Sequence, residues 1–62
     1  MMRYRVTNNG PYQIRFSDAR GSEHRLLVGK SRIIDGPPID AENVGAPDDE
    51  TEVRYYAQPV FT

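Results

Sequence analysis

Period-two alternation of apolar and polar side chains runs through the first third of this chain and commits it to β structure. Met2, Tyr4 and Val6 alternate with Arg3, Arg5 and Thr7, and Tyr12, Ile14 and Phe16 alternate with Gln13, Arg15 and Ser17. Successive strand residues face opposite ways, so each run reads as a strand with one buried face. Between them, Asn8-Asn9-Gly10-Pro11 joins residues that tolerate positive φ to a proline that cannot donate to a ladder. That turn chemistry predicts an antiparallel hairpin of the first two strands. Asp18-Ala19-Arg20-Gly21-Ser22 predicts a second turn, and Glu23 to Val28 a third strand with Leu26 and Val28 on one face. After the break at Gly29-Lys30-Ser31, Arg32 to Asp35 offers a short fourth strand built on Ile33 and Ile34. Thr51 to Ala57 restores the alternation, with Val53, Tyr55 and Ala57 set against Arg54 and Tyr56.

Residues 35–50 read differently. They hold three prolines, no aromatic residue and no cation, and their only helix-permissive window, Asp40 to Val44, is one turn long. The expectation is an extended acidic arm or long loop, able to span roughly 50 Å if fully drawn out. The strand after it then has two possible homes, its own sheet or, by exchange, the sheet edge of a neighbouring copy.

Chain length limits the core. A domain of 62 residues buries only about 60% of the surface its unfolded chain exposes. Domains of this size usually add disulfides, a metal or a partner chain. With no cysteine, and His24 as the single imidazole, the first two supports are disfavoured, which leaves association. A homo-oligomer or a subunit of something larger is therefore expected. No apolar run is long enough for a membrane helix, and Met1-Met2-Arg3-Tyr4-Arg5 lacks a secretory apolar stretch, so a reducing cytoplasm is the expected place of synthesis.

Charge is segregated along the sequence. Residues 1–34 carry seven cations against two anions, a balance of +5, while residues 35–62 carry seven anions against Arg54 alone, a balance of −6. Opposite-sign surfaces steer association and fix register, within a fold or head to tail between copies.

Catalytic constellations are weak. Ser17, Ser22 and Ser31 lie in or beside turns, no Gly-x-Ser-x-Gly elbow is present, and His24 reads as a strand residue with a hydrogen-bond partner. Asp48, Asp49, Glu50 and Glu52 are dense but sit beside Pro47 in a segment with nothing to bury them, so raised carboxyl pKa values are not expected. The five glycines are scattered singly, and Gly29-Lys30-Ser31 lacks the rest of a phosphate-binding loop. No cofactor or metal is expected, nor an enzyme. The predicted hairpin would set Arg3, Arg5 and Arg15 on one face, joined by Arg25, a stripe able to track phosphates. A pI near 5.7 and the downstream acids argue against a polyanion and for an acidic protein surface.

The runs Val6 to Gly10, Ile14 to Gly21 and Leu26 to Asp35 set an Asn-containing turn, an Asp-x-x-Gly turn and a Gly-x-Ser turn in a short meander. This pattern resembles small β-rich accessory proteins of tailed-bacteriophage virions, which decorate or cement capsids, often as oligomers. The resemblance implies a virion protein, assembled in the host cytoplasm, whose partners are major capsid or other virion subunits.

The reading as a whole is a single all-β domain over residues 1–62, a small antiparallel meander or partly open barrel of four to five strands. Its predicted core is Tyr4, Val6, Ile14, Phe16, Leu26, Val28, Ile34, Val53 and Tyr55. Its expected function is that of a non-enzymatic structural subunit. Ile39, Val44, Asp48, Asp49 and Glu50 of the arm, with Arg3, Arg5, Arg15 and Arg25, are the candidate partner-binding residues. The alternative is a small phage-encoded nucleic-acid-binding or inhibitory protein using the arginines.

Overall fold

The structure, a computed structural model, describes residues 1–61 and is all-β. Six strands form in order, β1 (Arg3–Asn8), β2 (Gln13–Ser17), β3 (Glu23–Leu26), β4 (Ser31–Asp35), β5 (Ile39–Val44) and β6 (Tyr55–Val60), with no helix among the described residues. They make two open antiparallel sheets of three strands, ordered β4-β1-β6 and β3-β2-β5, in place of one meander or barrel. Val6 and Ile34 from the first sheet meet Ile14, Phe16 and Leu26 from the second, and these five side chains are the buried core. Each contributes about 1.5 to 3 kcal/mol on burial, so the two inner faces hold the sandwich together.

Tyr4, Val53 and Tyr55 pack partly buried against that core as expected, joined by Ala41 and Ala57. Val28 does not. It stands 51% exposed beside Leu27 in the turn before β4, because β3 ends at Leu26.

The first two strands do not form a hairpin. β1 is the centre of one sheet and β2 the centre of the other, so the chain changes sheet between them. Asn8 makes that crossing. Its fully buried amide donates from Nδ2 to the carbonyls of Tyr12 (2.8 Å) and Leu26 (2.9 Å), and its Oδ1 accepts from Gly10 N–H (3.0 Å). The side chain thus substitutes for the ladder a hairpin would have made.

The expected arm is not a free segment. Residues 39–44 form β5, which pairs with β2 of the same chain. Between Ser17↔Ile39 and Arg15↔Glu42 the partner strand advances by one extra residue, and Asp40 there takes φ 54°. This β-bulge breaks the period-two pattern, which is why Ile39, Ala41 and Val44 do not alternate as strand residues normally do. β6 begins at Tyr55 and pairs with β1 of its own chain.

Candidate interaction surface

Strand register turns the outward side of β4-β1-β6 into an ordered array. Val6 is fully buried, so Arg3, Arg5 and Thr7 point away from the core. Across β1, Arg3 lies between Asp35 and Val60, Arg5 between Ile33 and Gln58, and Thr7 between Ser31 and Tyr56. Thr7 Oγ1 and Ser31 Oγ share a hydrogen bond of 2.8 Å, while Asp35 is taken by Arg20 at 3.0 Å. Arg3 and Arg5 are exposed and have no ion-pair partner among the described residues. Tyr56 is 50% and Ile33 39% exposed beside them. The face therefore combines two guanidinium groups unpaired among the described residues, a phenol and an aliphatic side chain on one side of the sheet.

The other outer face is paired in part: Arg25 is exposed there without an ion-pair partner among the described residues, while Arg15 is engaged. Arg15 pairs with Glu23 (3.4 Å) and with Glu42 on the next strand, and Arg25 lies opposite Arg15 in register. Arg3 and Arg5 thus sit on one sheet and Arg15 and Arg25 on the other, so the four arginines do not share the stripe expected of a β1–β2 hairpin. Ile39, exposed, registers with Ser17, and half-buried Val44 registers with Gln13; both belong to β5.

Asp48 and Asp49 form the tip of a tight turn closed by Glu50 N–H to Pro47 C=O at 2.9 Å. Asn43 Nδ2 donates to the carbonyls of Glu50 (3.0 Å) and Glu52 (2.9 Å), which ties this turn to β5. An open, polar cleft of about 360 Å³ lies between the turn and Glu42. Asp48, Asp49 and Glu50 are all exposed.

Sheet edges are blunted. On β6, residues opposite Tyr4 direct their main chain outward, and Pro59 occupies that place without an N–H to offer. The outward carbonyl of Asp35 on β4 is already taken by Ala19 N–H (2.9 Å). β5 carries its bulge, and β3 is four residues long with Glu23 and Arg25 on it. Faces, more than edges, are available to a partner.

Comparison with protein-family models, curated proteins and solved structures finds no match for this chain.

His24 is half of a partly buried polar tie. Its Nε2 lies 2.8 Å from Asp18 Oδ2, and Arg32, reaching over from β4, donates to Nδ1 at 3.2 Å. Asp18 also accepts from the Arg20 and Ser22 N–H groups at Oδ1, and is 7% exposed. The His24 hydrogen bond, followed by those two backbone donors, holds the Asp18 carboxyl below the ordinary carboxylate range against the opposing effect of burial. Both imidazole nitrogens are engaged, so neither is free to take a proton from a substrate. Among the described residues no group of three or more His, Asp or Glu is placed to hold a metal ion, and no helix is long and apolar enough to cross a membrane.

Tyr56, Ile33 and Gln58 were not legible as a surface from the sequence. The alternation of Tyr56, Gln58 and Val60 carried the signal, but only with β6 running to Val60 beside β1 does it place them next to Arg5.

Proposed function

We propose that this protein is a non-enzymatic structural subunit that binds into a larger protein assembly through the outer face of β4-β1-β6. The contrast between the two outer faces supports this reading. Arg15 is paired within its own sheet, although Arg25 is not, whereas Arg3 and Arg5, both without an ion-pair partner among the described residues, stand beside exposed Tyr56 and Ile33. Arginine and tyrosine are among the side chains enriched at protein interfaces. A face-on contact also suits a sandwich whose edges resist strand addition.

The assembly we propose is a virion, with tailed-phage capsid subunits as partners and assembly in the host cytoplasm, on the strength of the turn pattern over Val6 to Asp35. Sedimentation of the protein, alone across a concentration series and mixed with purified tailed-phage capsids stripped of accessory proteins, tests it. Self-association, or pelleting with capsids that Arg3→Glu and Arg5→Glu abolish, supports the proposal. A monomer at every concentration that never pellets with capsids overturns it.

One observation favours a second reading, a nucleic-acid binder. Tyr56 shares a face with Arg3 and Arg5, so a base could stack where phosphates are held. Such binding weakens steeply with salt, and no mobility shift with single-stranded DNA at about 50 mM salt would remove it.

A further inference from the structure

We infer that the outer face of β4-β1-β6 receives the acidic turn 47–50 of a second copy of this chain. The inference rests on the reading above in taking this face as the contact surface, and it names the occupant. Arg3 and Arg5 lie two residues apart on one strand, so their guanidinium groups rise from points about 7 Å apart, flanked by Asp35 and Ile33 on one side and Val60 and Gln58 on the other. Asp35 is engaged by Arg20, which leaves the face with surplus positive charge. Asp48 and Asp49 are adjacent residues at the tip of a closed turn, with Glu50 behind them, and all three are exposed without an ion-pair partner among the described residues. A hydrogen-bonded turn presenting neighbouring carboxylates suits a pair of guanidinium groups, each able to bind one carboxylate through two N–H donors.

Within one copy the two surfaces do not meet. Asn43 holds the turn on β5, in the sheet opposite, and the core lies between that sheet and Arg3. The complementary charges are satisfied only between copies. Because the donor and acceptor patches differ, the contact is heterologous, and it propagates into a ring or filament unless two copies exchange turns reciprocally. Tyr56 and Ile33 border the arginines and lose water when the tip seats, which lowers the local dielectric around the ion pairs. Charge contacts of this kind are screened over about 8 Å at physiological ionic strength, so association falls as salt rises.

Charge-swap mixing tests the inference. One variant carries Arg3→Glu with Arg5→Glu, the other Asp48→Lys with Asp49→Lys; all four positions are exposed, and circular dichroism checks that each variant folds. The wild type is expected to gain weight-average mass with concentration at low salt, each variant alone to sediment as a monomer, and their equimolar mixture to associate again. Association of both variants undiminished, or a mixture that stays monomeric, overturns the inference. A wild type that is monomeric at low salt yet pellets with capsids in a manner dependent on Arg3 and Arg5 removes the self-contact and leaves the proposed function standing.

Discussion

His24 Nε2 lies 2.8 Å from Asp18 Oδ2, and that contact, with Arg32 behind the ring, joins the β2–β3 turn to a strand of the opposite sheet. This tie adds a polar contact between the two sheets to the five buried apolar side chains of the core.

Acid should weaken the fold through Asp18. Its carboxyl titrates below the ordinary range in the native state, chiefly because of the His24 hydrogen bond. A depressed native pKa contributes stability that is fully present above the unfolded-state carboxylate value and is lost as pH falls through the lower native one. Thermal melts of the wild type should therefore decline on acidification into that window, and those of Asp18→Asn, less stable at neutral pH, should decline less. Parallel profiles for the two proteins would show that Asp18 does not carry the effect.

The tie also fixes a tautomer. Arginine donates only, so Nδ1 of His24 must accept, and a carboxylate accepts only, so Nε2 must carry the hydrogen. Nitrogen-15 spectra of the neutral ring should show protonated Nε2 and bare Nδ1. The reverse assignment would contradict the Arg32 contact.

Asn8 is a costly polar residue to lose. Asn8→Ala leaves the Tyr12 and Leu26 carbonyls and the Gly10 N–H without their partner. An unsatisfied buried group costs about 1 to 3 kcal/mol, a heavy loss for a domain of this size. Urea unfolding should show a drop of at least about 2 kcal/mol, and a change below half of that would mean the crossing is held by something else.

Two glycines separate backbone strain from crowding. Gly36 and Gly21 both take positive φ, but a Cβ at Gly36 would sit 2.5 Å from the Ala19 Cβ, while one at Gly21 meets nothing within 4 Å. Gly21→Ala should cost about 1 to 2 kcal/mol for its left-handed backbone alone. Gly36→Ala should cost clearly more, since Ala19 N–H is bound to the neighbouring Asp35 carbonyl and the turn cannot retreat freely. Equal melting temperatures would refute that close packing.

Five strands were legible, though the last was expected over Thr51 to Ala57 and runs from Tyr55 to Val60, and with them most of the core, because period-two burial is written in Tyr4, Val6, Ile14 and Phe16 and apolar Leu26 and Ile34 mark the next two strands. β5 was hidden by its own bulge, which puts Asp40 and Ala41 opposite a single residue and makes Ile39-Asp-Ala-Glu-Asn-Val look like a loop. Strand partners were not legible either. Alternation says which way a side chain faces and is silent on which strand lies beside it. Asn8-Asn9-Gly10-Pro11 has hairpin chemistry, and only the long-range bond from Asn8 to the Leu26 carbonyl reveals a change of sheet. That error merged the four arginines into one stripe, and the missed β5 hid the pairing of Arg15 with Glu42.

The central claim, that contacts are made by the outer face of β4-β1-β6, is tested most directly by amide chemical shifts followed through a concentration series at low salt. Shifts confined to Arg3, Arg5, Ile33, Tyr56 and their neighbours on that face, together with the turn 47–50, are the expected result. Shifts centred on Arg15 and Arg25, or along the edge of β3 or β6, or none at any concentration, would contradict it.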